Sequence, residues 1–259
     1  MTKRMHKKPW ELDPTSRFDN RAELYARYRP SYPREAIDWV LAGLSEPSQI
    51  LAADIGAGTG IVSHLLAERG VQVHAVEPNE DMRAAAKSHE LITWVRGTAE
   101  HTTLPDRCVD LATSCQAWHW FEPVASCAEV SRILKPGGRL ALMWYDDKPG
   151  DEPSERYRQI VRPGAVETFG IHAVEQWEPS LASPFDAVER EERVFDYSYR
   201  LDLDGLIGRA RSASYVPHDG PDAQRLVDEM KQLHLEHAES DGRVTMGLIC
   251  VVHIMHKPA

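Results

Sequence analysis

The sequence predicts an α/β protein with a seven-stranded, doubly wound parallel sheet, helices on both faces and a helical lid. The first observation is the stretch Ile50–Gly60, an apolar run that ends at Asp54 and leads into three closely spaced glycines. The second is the helical pattern of apolar residues that starts directly afterwards at Ile61. Strand, tight glycine turn and helix in this order open a nucleotide-binding unit of the Rossmann-like type. The expected strand order is 3-2-1-4-5-7-6, with an antiparallel last strand.

The other strands are predicted from short apolar or alternating runs between turn signals. They lie at Val71–Val76, Leu91–Arg96, Val109–Ser114, Arg139–Tyr145, Val188–Leu201 and Arg243–His256. The last two are expected to pair as an antiparallel hairpin. Lys135–Gly138 reads as a turn before the fifth strand, because its two glycines allow left-handed backbone.

The helices are predicted from apolar residues three and four positions apart. They cover a segment from Asp19 through Tyr28, a segment opened by Pro33, a segment closed by Gly70, Ser126–Leu134, Ser154–Val161, Leu206–Tyr215 and Asp222–Ala238. Asp19 is the expected N-cap of the first helix.

Composition, charge and cysteine spacing disfavour several classes of function. The chain has 259 residues and a net charge of −10, which disfavours a nucleic-acid partner because phosphate contacts need a basic face. Its four cysteines form no C-x-x-C pair, and the histidine pairs lack a third ligand at a metal spacing, so we expect no metal. No run is apolar enough to span a membrane, and no signal peptide is recognisable, so a cytoplasmic protein is expected.

The glycine spacing indicates the ligand class. Gly56 and Gly58 fit the dinucleotide pattern G-x-G-x-x-G, but Ile61 occupies its third position and the glycine comes one place early, at Gly60. Glu77 follows the second strand, where a carboxylate can accept hydrogen bonds from both hydroxyls of a ribose. These residues indicate a nucleoside-containing ligand, and they make NAD the less favoured choice.

The segment Cys115–Glu122 carries the most informative side chains. It follows the fourth strand, beside the expected reversal of strand order where open α/β sheets bind ligands. It holds His119 among three aromatic residues, which gives an apolar wall with one titratable group. The bland interpretation is core packing for Trp120 and Phe121 and an ordinary turn position for His119.

These motifs, in this order, resemble those of class I S-adenosylmethionine-dependent methyltransferases of the small-molecule, trans-aconitate methyltransferase-like branch. D-x-G-x-G-x-G resembles the first motif, V-E-P-N-E-D-M the second, G-x-A-E-x-x-x-L-P the adenine loop, and Q-A-x-H-W-F the loop that faces the methyl group. F-x-x-x-A-x-x-Y-x-x-x-R-P-S-Y-P resembles the family's leader helix. The resemblance covers Phe18–Tyr145 and, more loosely, Arg211–His256.

The resemblance implies S-adenosylmethionine as cofactor, S-adenosylhomocysteine as product and no metal. It implies a cofactor site made of Tyr25, Arg29, Asp54, Gly56, Ala57, Gly58, Gly60, Glu77, Pro78, Met82, Thr98, Ala99, Glu100 and Gln116. It implies acceptor contacts from Phe18, Tyr28, Trp118, Trp120, Tyr145, Arg211 and Tyr215. His119 would be the catalytic residue.

The role of His119 depends on the acceptor. An amine or phenol must lose a proton, which a histidine can accept. A carboxylate attacks as it is, so His119 would only orient it while an arginine pairs its second oxygen. Arg29, Arg156, Arg209 and Arg211 are the candidates for that pairing.

The chain divides into four predicted parts: a tail and lid helix at 1–33, a cofactor-binding core at 34–145, a substrate-covering insertion at 146–185 and the rest of the core at 186–259. We expect a monomer or homodimer that acts on a small molecule, with no nucleic acid or membrane partner. A nicotinamide-dependent oxidoreductase and a non-catalytic S-adenosylmethionine-binding protein stay as alternatives.

Overall fold

The computed structural model describes residues 9–11, 15, 19–169, 181–185 and 188–257. The chain forms two compact units. The glycine-turn unit comprises Ser31–Tyr145, Pro179–Phe195 and Cys250–Ala259, and the helical unit comprises Met1–Pro30, Asp146–Glu178 and Asp196–Ile249.

Seven strands form one sheet in the predicted order, β3-β2-β1-β4-β5-β7-β6. They are β1 Leu51–Ile55, β2 Gln72–Val76, β3 Ile92–Val95, β4 Val109–Cys115, β5 Leu134–Asp147, β6 Arg190–Leu201 and β7 Val244–His256. The first five strands pair in parallel. The amide of Lys257 donates to Gly138 and that of Lys148 to Gly247, so β7 runs antiparallel to β5. The predicted fold class is confirmed.

Helices flank these strands. They are α1 Ala22–Tyr28, α2 Arg34–Leu41, α3 Ile61–Ala67, α4 Glu80–Ala84, α5 Pro123–Ile133, α6 Glu152–Phe169, α7 Leu203–Arg211 and α8 Gly220–His237. Among the described residues, side chains cap four of them, since Asn79, Glu122, Asp151 and Asp202 each accept a backbone N–H of the first turn. Within the described ranges, no helix combines the length and apolar character needed to cross a bilayer.

Each unit has its own core. In the glycine-turn unit, α2 and α3 pack Ile37 and Leu66 on a cluster that includes Val73 of β2 and Val252 of β7. In the helical unit, α6, α7 and α8 bury a second cluster, in which Leu206 has no exposed surface. Burying such side chains contributes about 1.5–3 kcal/mol each.

Two local predictions are wrong. α1 starts after Arg21, and no side chain caps it, so Asp19 is not the N-cap. Lys135–Gly138 does not separate α5 from β5: it is an irregularity inside β5, with only Gly137 at positive φ. β6 and β7 are neighbours in the sheet, as predicted, and the two predicted helices, α7 and α8, connect them.

Candidate functional site

The glycine turn between β1 and α3 has left-handed backbone at each of its glycines. The φ angles of Gly56, Gly58 and Gly60 are +68°, +57° and +80°. A Cβ on Gly56 would also lie 2.8 Å from the Cβ of Ala117 and 2.9 Å from the ring of Phe121. Gly56 is therefore required both by its conformation and by the close approach of Ala117 and Phe121, which flank the turn Trp118–Trp120.

Asp54 holds the glycine turn through hydrogen bonds to α3 and β4. Its carboxylate is buried and accepts hydrogen bonds from Ser63 Oγ at 2.7 Å and Thr113 Oγ1 at 2.9 Å. Burial raises its pKa, and these hydrogen bonds partly oppose that rise. Asp54 thus joins β1 to the first turn of α3 and to β4.

Glu77 connects the end of β2 to the same turn. One of its carboxylate oxygens accepts the amide of Gly58 and the other accepts the amide of Asn79, each at 2.9 Å. The side chain is buried, which raises its pKa against the effect of these two donors. Each carboxylate oxygen has a second lone pair, so Glu77 can still accept two hydroxyl groups.

The segment after Glu77 forms the start of α4. Asn79 Oδ1 accepts the amide of Met82 at 2.9 Å, and Met82 is 3% exposed. Arg83 donates to the carbonyl oxygens of Glu77 and Pro78 at 2.6 and 2.8 Å. These bonds hold Pro78 and Met82 in fixed positions near the turn that Glu77 contacts.

Two carboxylates, those of Glu100 and Glu129, hold the loop that follows β3. Ala99 is buried, and Thr98 and His101 exchange backbone hydrogen bonds. Glu100 Oε1 accepts the amide of Glu122 at 3.0 Å, which leaves its other oxygen available to a ligand. Farther along, Glu129 accepts both donors of Thr102.

The tryptophan-rich loop is a 3₁₀ turn over Trp118–Trp120. Gln116 precedes it at φ +55°, and its amide donates to Met143 of β5 at 2.9 Å. Trp118 is 1% exposed and meets Phe121 edge to face, whereas His119 is exposed, with its ring 5.0 Å from that of Trp120. Both tryptophans therefore pack into the protein, which for Trp120 agrees with the core position considered above. His119 is the accessible group of this turn.

Tyr145 lies at the end of β5. Its hydroxyl donates to the carbonyl of Ser31, and its ring stacks on Tyr32 at 4.7 Å between centroids. These contacts fix the ring against the segment before α2.

The remaining predicted site residues belong to the helical unit. They are Tyr25, Tyr28, Arg29, Arg211 and Tyr215. Arg29 stacks on Tyr25, with 4.9 Å between its Cζ and the ring centroid. Phe18, predicted to contact the acceptor, lies outside the described residues. That these residues share a site with the glycine-turn unit stays a prediction.

Sequence reasoning missed the hydroxyls around the turn. Ser63 and Thr113 hold Asp54, and their spacing from it gives no motif. Thr59 Oγ1 and Ser114 Oγ are buried and have no hydrogen-bond partner among the described residues. An unpaired hydroxyl within the turn and another near the end of β4 fit a polar ligand, because buried polar groups in proteins are otherwise paired.

The arrangement suits a nucleoside with a polar tail. Acceptors at Glu77 and Glu100, left-handed glycines and unpaired hydroxyls lie at or after the carboxyl ends of β1, β2, β3 and β4, where α/β sheets bind ligands. Across the described ranges, no group of three metal-ligating side chains occurs.

Comparison with known proteins agrees with this geometry. Residues 53–142 match the family model described as a methyltransferase domain. An uncharacterised methyltransferase of Mycobacterium tuberculosis (strain ATCC 25618 / H37Rv) is 35% identical over 238 residues, which cover 87% of this chain and 89% of the relative. A second, from Schizosaccharomyces pombe (strain 972 / ATCC 24843), is 31% identical over 90% of this chain and 94% of its own length. Among solved structures, a candidate type II methyltransferase from Anaeromyxobacter dehalogenans has a TM-score of 0.60 and 26% identity over 89% of this chain and 98% of its own.

Proposed function

The chain belongs to the class I S-adenosylmethionine-dependent methyltransferase superfamily, and from this premise we propose that it methylates a small-molecule acceptor by in-line displacement. The acceptor would offer a carboxylate, hydroxyl or amine to the methyl group. When bound, the cofactor supplies a methyl group already activated by a positively charged sulfur. The protein then has to bind and align the two molecules and exclude water.

One observation carries the cofactor assignment: the contact of Glu77 with the Gly58 amide. It puts the carboxylate that would accept the ribose hydroxyls against the glycine turn. Ala99 and Glu100 would bind the adenine edge, Met82 would lie beside the ring, and Gln116 would contact the methionine part. Thr59 and Ser114 offer two further hydroxyls for that part, since they have no partner in the described ranges.

His119 is the proposed base or orienting group. Its ring is exposed on a turn that the buried Trp118 and Trp120 anchor, so it can reach an acceptor without rearrangement of the core. With an amine or phenol it would accept the proton at a ring nitrogen, and with a carboxylate it would only orient the acceptor.

The acceptor contacts proposed for Trp118 rest on the resemblance alone, because its burial leaves little surface for a ligand. We propose that the protein works in the cytoplasm without metal or nucleic acid, as a monomer or homodimer. The nicotinamide alternative has no support from the relatives. A non-catalytic role is the alternative that an assay must exclude.

Calorimetric titration with S-adenosylhomocysteine, and with NAD for contrast, tests the cofactor proposal. We expect micromolar binding of the first ligand and none of the second. Glu77→Gln should weaken binding by about tenfold or more, because an amide cannot accept both backbone donors and both hydroxyls. Glu90→Gln, on an exposed loop, is the matched control. Binding of NAD alone would overturn the proposal.

A further inference from the structure

Arg209 lies on α7 between two tyrosine rings. Its Cζ is 4.3 Å from the ring centroid of Tyr157 and 5.1 Å from that of Tyr199. Such stacking fixes the plane of a guanidinium and leaves its N–H edge for hydrogen bonds. Its buried Nη1 has no hydrogen-bond partner in the part of the chain that the structure describes.

A second arginine lies in the same neighbourhood because α1 packs closely on α7. A Cβ at Gly208 would overlap the ring of Tyr28, so the glycine lets the two helices approach. Arg29 follows Tyr28 directly, and it acts together with Arg209 on the pKa values of Tyr157 and Tyr199. The buried Nε of Arg29 also lacks a partner among the described residues, as does the hydroxyl of Tyr199.

The nearby acid does not neutralise this cluster. Asp147 is the carboxylate that acts on Arg209, but its Oδ2 pairs with Arg158 at 2.9 Å. Within the described ranges, Arg209 makes no ion pair within 4.0 Å. Buried donors without acceptors are costly, and a buried charge without a counter-ion is costlier still.

We propose that Arg209 and Arg29 bind the carboxylate group of a small-molecule ligand within the helical unit. The inference rests on the stacked guanidinium and on the unpaired buried donors described above. A planar guanidinium held between rings matches a planar carboxylate in two parallel hydrogen bonds. The Tyr157 and Tyr199 rings provide apolar walls for the body that carries it. Tyr199 can donate a further hydrogen bond, since its pKa is raised to about 12 by burial and the hydroxyl stays protonated.

The test is a binding series on the full chain, with and without saturating S-adenosylhomocysteine. The probes are acetate, malonate and benzoate, with benzamide as the neutral analogue of benzoate and inorganic phosphate as the competing anion. We expect at least one carboxylate to bind, and benzamide to bind at least about tenfold more weakly than benzoate if benzoate binds. Arg209→Met should weaken carboxylate binding about tenfold or more, and Arg209→Lys should weaken it less.

Arg225→Met is the matched control, because Arg225 is an exposed arginine of the same unit that pairs with Asp222 and Glu229. Thermal unfolding checks that each variant folds. If the Arg209→Met variant does not fold, the Arg29→Met variant is used for the same binding measurements. Carboxylate binding that survives both substitutions, or no binding of any carboxylate, would overturn the proposal.

Two other outcomes would also overturn it. If phosphate binds as tightly as the carboxylates in an Arg209-dependent way, the site takes phosphate. If Arg209→Met loses S-adenosylhomocysteine while the carboxylate probes never bind, the arginine holds the cofactor's own carboxylate. Failure of the wild type to bind S-adenosylhomocysteine would instead count against the proposed function, and the series without that ligand would still test the anion site.

Discussion

The glycine turn and the arginine cluster treat buried charge in opposite ways. In the glycine-turn unit, the carboxylates of Asp54, Glu77 and Glu129 each accept hydrogen bonds from two or more groups of the protein. In the cluster, the buried Nη1 of Arg209 and Nε of Arg29 have no acceptor in the described ranges. The carboxylates of the first region have partners before any ligand binds, and the second region leaves charged donors for a ligand to satisfy.

This difference separates charges that the protein itself pairs, of which Glu77 keeps lone pairs for a ligand, from charges that need a ligand as their partner. A buried carboxylate that is fully hydrogen-bonded orders the loops that carry it, and its removal costs stability. A buried cation without a partner costs stability until an anion arrives, so its removal should cost binding instead.

Gly56→Ala should have the largest effect. It places a Cβ within 3 Å of Ala117 and Phe121 on left-handed backbone, so we expect a loss of about 3–4 kcal/mol in the free energy of unfolding and of measurable S-adenosylhomocysteine binding. Gly137→Ala is the control, with φ +75° and open space around its Cβ, and it should cost about 1–2 kcal/mol. Urea unfolding measures both. Equal costs would mean that the close approach to the tryptophan-rich loop is unimportant.

Arg132→Met should destabilise the protein by about 2–3 kcal/mol. The guanidinium binds Glu129, Asp106 and the carbonyl of Leu104, and its loss leaves Glu129 buried without its cation. The partial exposure of Arg132 keeps the effect below that of a fully buried pair. Chemical denaturation of wild type and variant gives the value. A change below 0.5 kcal/mol, roughly that of an ordinary surface substitution, would contradict the structural role.

The two regions should also respond oppositely to pH. Burial raises the pKa of Glu129, but hydrogen bonds from Arg132 and Thr102 outweigh it and lower the value to about 2. The native state therefore binds fewer protons than the unfolded state between about pH 4.5 and 2, and this stabilisation is lost as the pH falls through that window. Glu129→Gln should remove roughly 2 kcal/mol of it.

Asp147 has the opposite sign. Burial raises its pKa to about 6, despite Arg209 and Arg158, so the native state binds more protons than the unfolded state between about pH 4 and 6. Its contribution to stability falls as the pH rises through that window. Asp147→Asn should flatten this fall, which denaturation at a series of pH values would show. If Asp147 instead made the protein more stable as the pH rises through this window, as Glu129 does at lower pH, its raised pKa would be contradicted.

Arg209→Met should have the smallest effect on the ligand-free protein. Loss of stacking on Tyr157 and Tyr199 is offset by removal of an unpaired buried charge, so we expect a change below about 1 kcal/mol. Urea unfolding without ligand measures it. Destabilisation as large as that of Arg132→Met would show that Arg209 is paired within the protein, and the two regions would not differ as proposed.

The sequence predicts the local parts of this picture well. The glycine turn, the acidic residue after β2 and the strand order depend on short motifs and alternation, and the fold confirms the order. Partners far apart in the chain escape such reasoning. Thr113 lies 59 residues from the Asp54 that it holds, and no spacing announces that pair.

The arginine cluster shows the same limit more sharply. Arg29, Tyr157, Tyr199 and Arg209 come from four elements, and sequence reasoning could only name both arginines among four candidates. The error at Lys135–Gly138 has a related cause, because the local turn signal was outweighed by the pairing of β5 with β4.

The most direct test of the central claim is one calorimetric series of S-adenosylhomocysteine with wild type, Glu77→Gln and Arg209→Met. We expect the Glu77 variant to lose about tenfold or more in affinity, and the Arg209 variant to stay within about twofold of wild type. Full affinity in the Glu77 variant, together with a large loss in the Arg209 variant, would contradict it and move the cofactor's main contact from the glycine turn to the arginine cluster.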